Sequence, residues 1–435
     1  MIEQLRMNSS RIETKKGLLA LSPIIVFLGL YLVVSLILND FYKMPIAVAL
    51  TVASVWAIIT YRHNTLHERI ETFSREAGTS NIMYMIWIFI LAGAFASLAD
   101  KIGAIEATVA MTTNWLPPSL IIPGIFIAAC FISTSIGTSV GTVVALTPLA
   151  VDFAHSVNGD VSFFVAVVLG GAFFGDNLSF ISDTTIAATR TQRCKMNEKF
   201  KANFAIVLPA AIITLSLYIL GDFHILTRIP YQDVNFWLIL PYLIIIALAI
   251  VGVNVTITLI CGIISAIVIA ITSGGFDIIS LIGFMGDGID SMGDLIIVTL
   301  LAGGMLGIIK ATGGIAFLLQ SMSSFVKGSR GGQAAIALLV GTVNLCTANN
   351  TLAILTAGPL SREISLKYGI TARKSASLLD TASCIVQCLI PYGAQTLLAT
   401  GLAGISPAAP WPYLYYPWIL LITMSVSIII KRSKH

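Results

Sequence analysis

Apolar segments long enough to form membrane-spanning helices recur along the whole chain, separated by short polar stretches. A hydrocarbon core of about 30 Å requires about 20 predominantly apolar residues in a helix. The uninterrupted segments with this pattern are residues 18–38, 44–61, 82–98, 202–220, 236–253, 256–271, 295–309 and 415–430. With two further, interrupted segments, the pattern predicts an all-α integral membrane protein with about ten transmembrane helices.

Two other apolar stretches are too short to cross a bilayer twice and have polar middles. They cover residues 117–152 and 334–360. Non-helical backbone survives at membrane depth only when it is buried in protein or lines a cavity, so both stretches are predicted to be re-entrant hairpins. The predicted tip residues are Thr138, Ser139, Asn349, Asn350 and Thr351. Alternatively, the two asparagines would serve only as caps of the hairpin.

The two interrupted helices are predicted at residues 161–190 and 375–402. The first contains Asp176 and Asp183 within a run of glycines and hydroxyl side chains. A carboxylate near the bilayer centre costs at least ~2.5–3.5 kcal/mol on insertion scales, so an intramembrane acid is a functional-site hypothesis by default. The alternative is a polar loop outside the membrane.

The order of elements in the first half of the chain recurs in the second. The triplet Leu-Ala-Gly at residues 91–93 recurs at residues 301–303, and Asp176 matches Asp380 at an offset of 204. Internal repeats are common in secondary transporters. We therefore predict one repeat at residues 18–221 and another at residues 236–430, each with one hairpin and one interrupted helix.

Composition and charge give these repeats an orientation. Hydrophobic residues make up 57% of the 435-residue chain and charged residues 11%, with a mean hydropathy of +0.92, which predicts a single polytopic domain. Short cytoplasmic loops carry excess Lys and Arg, and basic clusters lie at residues 190–201, 362–374 and 431–434. Placing these clusters inside, together with the basic N-terminus, requires an odd number of crossings per half. The repeats would then be inverted and both termini cytoplasmic, and the loop alternative would break this count.

The polar residues of each interrupted helix recur at positions i, i+3 and i+7, so they share one face of an intact helix. The candidate ion- and proton-binding residues are Asp176, Asn177, Ser179, Ser182, Asp183, Thr184, Asp380, Thr381 and Ser383. Carboxylate, amide and hydroxyl oxygens suit a hard cation such as sodium, which we assign to Asp176, Asn177 and Asp183. Sodium and a proton would compete for the same carboxylate, because a bound cation favours its ionised form.

Several other functions are disfavoured by what these cores lack. No Lys, Arg or His falls within either polar core in the sequence, which weakens the case for a carboxylate substrate bound by a buried cation. No Cys or His spacing indicates a metal site, and no nucleophile–base pair occurs. We therefore expect neither a cofactor nor an enzymatic activity, and the interrupted helices disfavour a channel.

The segment from Gly175 to Thr185 resembles the signature of NhaC-type sodium/proton antiporters, a family of the wider ion-transporter superfamily. The segment from Gly137 to Thr142 resembles the Gly-Thr-Ser-x-Gly-Thr segment of the same family. The resemblance implies secondary active exchange of sodium against protons by an elevator-like plan. Some relatives exchange organic acids or amino acids together with these ions. Phe180 stands where the family usually has proline.

We therefore expect a plasma-membrane antiporter that exchanges cytoplasmic sodium for external protons by alternating access. The alternative is a sodium- or proton-coupled exchanger of an organic acid or amino acid on the same fold. The expected partners are the lipid bilayer, sodium and protons, with a small metabolite and a second copy (a homodimer) as further candidates. Nucleic acid is not an expected partner.

Overall fold

The computed structural model describes residues 14–37, 44–61, 65–115, 117–179, 182–221, 235–251, 253–273, 275–323 and 328–430, and across these residues it contains helices and no strand. The first ten helices are α1 (Thr14–Ile37), α2 (Ile46–Thr60), α3 (Leu66–Ala77), α4 (Ser80–Lys101), α5 (Ala104–Trp115), α6 (Ile121–Ile136), α7 (Ser139–Ser156), α8 (Val161–Leu178), α9 (Asp183–Gln192) and α10 (Met196–Leu220). The remaining helices are α11 (Phe236–Ile250), α12 (Val255–Thr272), α13 (Ile278–Ser291), α14 (Gly293–Ala311), α15 (Gly314–Ser323), α16 (Gly328–Thr347), α17 (Asn350–Lys367), α18 (Ala372–Leu389), α19 (Ala394–Leu402) and α20 (Tyr415–Ile430).

Helices of membrane-spanning character account for most of the described chain. Six helical segments are long and apolar enough to cross a bilayer: Ile82–Lys101, Val161–Gln192, Met196–Leu220, Val255–Thr272, Ile278–Ala311 and Ala372–Leu402. Four shorter apolar helices accompany them, at Ile46–Thr60, Ile121–Thr134, Phe236–Leu248 and Tyr415–Ile430. The predicted all-α membrane fold is confirmed.

The chain forms two compact units. The smaller unit comprises Met1–Met83 and Ile297–Lys327, and the larger comprises Tyr84–Ile296 and Gly328–His435. In the smaller unit, Thr65 and Glu68 form a capping box that starts α3. Glycines of α14 let the stem of Glu76 and the ring of Phe73 approach closely, because a side chain at Gly307 or Gly304 would overlap them.

The larger unit holds two helical hairpins whose turns have the same backbone conformation. Gly137 between α6 and α7 has φ 75°, and Ala348 between α16 and α17 has φ 47°. The next residues, Thr138 and Asn349, are extended, with φ −145° and −146°. Each turn therefore needs one left-handed residue, a conformation that glycine adopts without the steric cost that an alanine bears.

Both interrupted helices also break in the same way. The helix α8 ends at Leu178 and α9 begins at Asp183, while α18 ends at Leu389 and α19 begins at Ala394. These ends correspond at an offset of 211, which pairs Asp176 with Gln387. The offset of 204 that matched Asp176 with Asp380 is therefore displaced by about two helical turns. A seven-residue shift keeps a residue on the same helix face, so the sequence match at an offset of 204 has the same pattern of polar positions as the structural one.

Helices also occupy stretches between the predicted membrane-spanning segments. The helix α3 lies between the segments 44–61 and 82–98, α13 lies between the segments 256–271 and 295–309, and α10 starts at Met196 rather than at residue 202. The first hairpin, at residues 121–156, is shifted by four residues from its predicted range, and the second, at residues 328–367, extends beyond its predicted range at both ends. Polar residues at the helix ends account for these differences, because hydropathy alone marks only the apolar part of a helix. Phe180 and the basic residues 431–434 lie outside the described residues.

The helix α8 packs closely against α6 through small residues. A Cβ atom at Gly175 would overlap both the side chain and the backbone of Ser133, and one at Gly171 would overlap Ala129. The Ser133 hydroxyl donates a hydrogen bond of 2.5 Å to the Ala172 carbonyl. This contact fixes the end of α8 that carries Asp176.

We expect Gly175→Ala to destabilise the protein by about 1–3 kcal/mol, because the added methyl group has no space and α6 must move. The thermal midpoint of the purified protein in detergent would measure this loss. Gly124→Ala on α6 is the matched control, since nothing lies within 4 Å of its Cβ position. Equal midpoints for the two variants would contradict the close-packing account.

Candidate ion-binding site

Asp176 lies in the last turn of α8, where its side chain contacts the tip of the first hairpin. Its carboxylate accepts hydrogen bonds from the Ser139 backbone N–H at 3.1 Å and from the Ser139 hydroxyl at 2.6 Å. Ser139 is the first residue of α7, so the carboxylate faces a helix N-terminus, which favours negative charge. Only 5% of Asp176 is exposed. Both of its bonds come from neutral donors.

Hydroxyl groups satisfy the backbone where the helix breaks. The Asp176 carbonyl accepts hydrogen bonds from Ser182 at 2.8 Å and from Thr184 at 3.2 Å, and the Ser179 carbonyl accepts one from Thr185 at 2.8 Å. Ser182 also accepts a bond from the Thr185 N–H and caps α9. Freed carbonyls at membrane depth require such partners, and the cluster of hydroxyls in this sequence supplies them.

Two glutamines connect the first hairpin tip with the second. Gln395 donates to the Ser139 hydroxyl at 3.0 Å and accepts from Gln387 at 3.1 Å. Gln387 also donates to the carbonyl of Ala348, the left-handed residue of the second tip, at 3.0 Å. The amide of Asn350, the first residue of α17, lies beside the Asp176 carboxylate. Both tips therefore converge on Asp176.

A buried ion pair lies next to this network. The Lys199 ammonium is 2.5 Å from Asp380 Oδ2, and these residues are 1% and 0% exposed. Lys199 Nζ also donates to the Asn177 carbonyl at 2.7 Å and to Thr185 Oγ1 at 2.6 Å. The three donors of the ammonium group thus each have an oxygen acceptor. Charge-assisted bonds of this kind are roughly twice as strong as neutral ones.

Amides join the ion pair to the broken helix. Asn203 donates to Asp380 Oδ2 at 2.8 Å, to the Asn177 carbonyl at 2.9 Å and to the Asn177 side-chain oxygen. Thr381 donates to that same oxygen at 3.4 Å. Together these contacts hold α8, α10 and α18 at one point.

Some buried polar atoms of this region have no hydrogen-bond partner within the described part of the chain. The oxygens among them are Asp380 Oδ1, Asn203 Oδ1 and Gln387 Oε1, and the nitrogens are Asn177 Nδ2 and Asn350 Nδ2. An unpaired buried polar atom is costly, so these atoms are potential ligand contacts. Among the described residues, no three His, Cys, Asp or Glu side chains form a group that could hold a metal ion.

Residues 16–221 and 224–431 match the Na+/H+ antiporter family. The chain belongs to this family.

The names of three relatives differ in the ions or metabolites that they exchange. The chain is 20% identical to the "Malate-2H(+)/Na(+)-lactate antiporter" of Bacillus subtilis (strain 168), over 94% of each chain. It is 25% identical to "Na(+)/H(+) antiporter NhaC" of the same organism, over 82% of this chain and 84% of the relative. It is 22% identical to "Arginine/ornithine antiporter ArcD" of Halobacterium salinarum (strain ATCC 700922 / JCM 11081 / NRC-1), over 79% of this chain and 76% of the relative. The predicted family is confirmed, and the chain is a secondary antiporter.

The structure of this family member brings many of the predicted residues together, but not all. Those within the hydrogen-bond network are Ser139, Asp176, Asn177, Ser179, Ser182, Thr184, Asp380 and Thr381, with Asn350 beside it. Asp183, the first residue of α9, is instead exposed and belongs to no part of that network among the described residues. The predicted sodium ligands Asp176, Asn177 and Asp183 therefore do not form one buried group in this conformation.

The remaining predicted residues make local helix contacts. Ser383 donates to the Asp380 carbonyl one turn earlier, at 2.9 Å, and its own carbonyl accepts from Asn344. Asn349 accepts from the Leu352 N–H and so caps α17, as its alternative interpretation anticipated. Thr351 donates its N–H to the Asn350 side chain, and Thr138 caps α7 without a side-chain bond.

Sequence reasoning missed Lys199, Asn203 and Gln395 as site residues of this antiporter. The sequence places Lys199 in the basic cluster at residues 190–201, which is predicted to be cytoplasmic, whereas in the structure Lys195 and Lys201 are exposed and Lys199 is buried. An available signal was the spacing of Lys199 and Asn203, four residues apart and hence on one helix face. An asparagine inside an otherwise apolar helix required a partner, and α8 supplies it.

We expect Asn203→Leu to destabilise the antiporter by about 1–3 kcal/mol, because the near-isosteric leucine removes the amide's bonds to Asp380 and Asn177 and places an apolar group against their buried oxygens. A lower thermal midpoint in detergent would measure this. Ser216→Ala on the same helix is the control, since the half-buried Ser216 hydroxyl donates to the Ile212 carbonyl one turn earlier and takes no part in the amide bridge. A midpoint for Asn203→Leu equal to that of Ser216→Ala would show that the amide bridge contributes nothing.

Proposed function

We propose that this chain is a sodium/proton antiporter of the plasma membrane that exchanges cytoplasmic sodium for external protons by alternating access. Both termini would be cytoplasmic, as the basic loops suggest. The observation that carries the proposal is the environment of Asp176. Among the described residues no Lys, Arg or His pairs with this buried carboxylate, so a transported cation or a proton is left to neutralise it.

The charge balance of the site supports a cation over an anion. Among the described residues, the buried charged side chains are Asp176, Lys199 and Asp380. With all three ionised, the pair of Lys199 and Asp380 is neutral and one negative charge remains. Burying a further anion here would add like-charge repulsion in a medium of low dielectric constant. A monovalent cation or a proton instead makes the site neutral.

Competition at one carboxylate provides the coupling. A sodium ion near Asp176 favours its ionised form and so displaces the proton, and protonation removes the charge that attracts sodium. The side chain of Ser139 and the amide of Asn350 come from opposite hairpin tips. A movement of either tip would therefore alter the solvation and access of the carboxylate. Asp183, exposed at the start of α9, is proposed to contribute to cation attraction rather than to the buried site.

We expect Asp176→Asn to reduce sodium-driven proton movement in proteoliposomes by at least ~100-fold, because a neutral amide can neither exchange a proton nor balance a buried cation. Asp183→Asn should reduce exchange less. Asp287→Asn, an exposed acid on α13, is the matched control and should retain exchange. Near-normal exchange by a folded Asp176→Asn protein would remove Asp176 from the mechanism.

A metabolite exchanger on the same fold is the second candidate function. Two relatives bear names of exchangers of organic acids or amino acids, and the unpaired amide nitrogens of Asn177 and Asn350 could donate to a polar metabolite. In this case a sodium gradient would move protons only after a metabolite such as malate, lactate, arginine or ornithine is supplied. Proton movement driven by sodium alone, with no metabolite present, would instead support the ion antiporter.

A further inference from the structure

The oxygen atoms around Lys199 form the kind of shell that a free cation would occupy. A carboxylate oxygen of Asp380, the carbonyl oxygen of Asn177 and the hydroxyl oxygen of Thr185 lie 2.5, 2.7 and 2.6 Å from Nζ. Carboxylate, carbonyl and hydroxyl oxygens are the ligands of hard cations. The ammonium group of α10 therefore fills a second cation position, next to the one at Asp176.

Helix packing keeps this ammonium in place. Lys199 lies in the first turn of α10, where Asn203 on the same face bonds to both Asp380 and Asn177. The side chain is 1% exposed, and its three donors are all used by buried acceptors. Withdrawal of the ammonium would leave the Asp380 carboxylate buried without a counter-charge, an expensive state.

We propose that Lys199 is a tethered cation that permanently occupies the Asp380 site and so limits exchange to one charge per cycle. This inference rests on the proposed ion exchange and adds its stoichiometry. One sodium ion leaves Asp176 as one proton binds there, while Lys199 keeps its proton. The site carries no net charge with either occupant, and one positive charge crosses in each direction. Exchange should therefore be electroneutral.

The first test measures charge coupling in proteoliposomes that contain the full chain. Sodium and proton gradients are imposed, and potassium with valinomycin sets the membrane potential. Net flux should vanish where the sodium ratio equals the proton ratio, at every potential. A zero-flux condition that shifts with potential, as for two protons per sodium ion, would overturn the proposal while leaving ion antiport intact. Absence of any sodium-driven proton flux would overturn the ion antiport itself, and the stoichiometry with it.

The second test removes the tethered charge. In Lys199→Met, Asp380 becomes a second exchangeable carboxylate, so the Hill coefficient for sodium should rise from one towards two. Lys199→Arg keeps a cation and should keep a coefficient of one. Lys201→Met, at an exposed position two residues further along α10, is the matched control and should behave as the unmodified chain does. A coefficient of one for well-folded Lys199→Met would contradict the proposal.

A paired variant covers the case in which Lys199→Met does not fold. Lys199→Met combined with Asp380→Asn removes both charges at once, which buried pairs tolerate better than the loss of one partner. Folding is checked by the elution volume in size-exclusion chromatography. Sodium-driven exchange should persist in the paired variant, with a Hill coefficient of one and no dependence on membrane potential. Loss of all exchange in a folded paired variant would locate the exchange at Asp380 and overturn the proposal.

Discussion

The burial of charge at membrane depth is the constraint on which the rest of this structure depends. An unpaired ion in a medium of low dielectric constant is costly, and breaking one partner of a buried pair typically costs about 3–5 kcal/mol. The pair of Lys199 and Asp380 removes most of that cost for two charges. It also fixes three helices, because Asn177 on α8 shares its carbonyl with the ammonium of α10 while Asp380 extends from α18. The polar interruption of the membrane helices is stable because of these contacts.

Much of the fold could be predicted from the sequence because the bilayer leaves few alternatives. A segment without water must form its backbone hydrogen bonds internally, so apolar runs identify helices and polar runs within them identify breaks. The breaks at Ser179 and Ser182 and the hairpin turn at Gly137 follow from residues that favour caps and left-handed conformations. The equivalent turn at Ala348 has no such signal, and only the two asparagines after it marked the place.

Side-chain direction and tertiary pairing could not be predicted from the sequence. Asp176 and Asp183 are both aspartates of the same sequence motif. Asp176 is nevertheless buried and Asp183 exposed, because the helix break between them ends the common helix face. The sequence places Lys199 in a cytoplasmic basic cluster, although a long aliphatic stem can carry a charge inward, as it does here. The sequence match pairs Asp380 with Asp176, whereas the helix ends pair Asp176 with Gln387, because a shift of two helical turns preserves the face of the helix. A wrong prediction of exposure or pairing arises wherever the same local sequence pattern is compatible with two different tertiary contacts.

Asp176 on α8 and Gln387 on α18 occupy corresponding positions of the two broken helices, and this difference in side chain changes the charge of the site. If both broken helices had an acid at this position, the two acids would contribute an even number of negative charges to the site. Here α18 has an amide at that position. Its acid, Asp380, lies two turns earlier and is already paired with Lys199. The two broken helices thus have corresponding ends but differ in chemistry, since α8 provides a buried carboxylate and α18 a neutral amide at the corresponding position. Similar backbones with different side chains therefore leave one buried carboxylate, Asp176, without a counter-charge among the described residues.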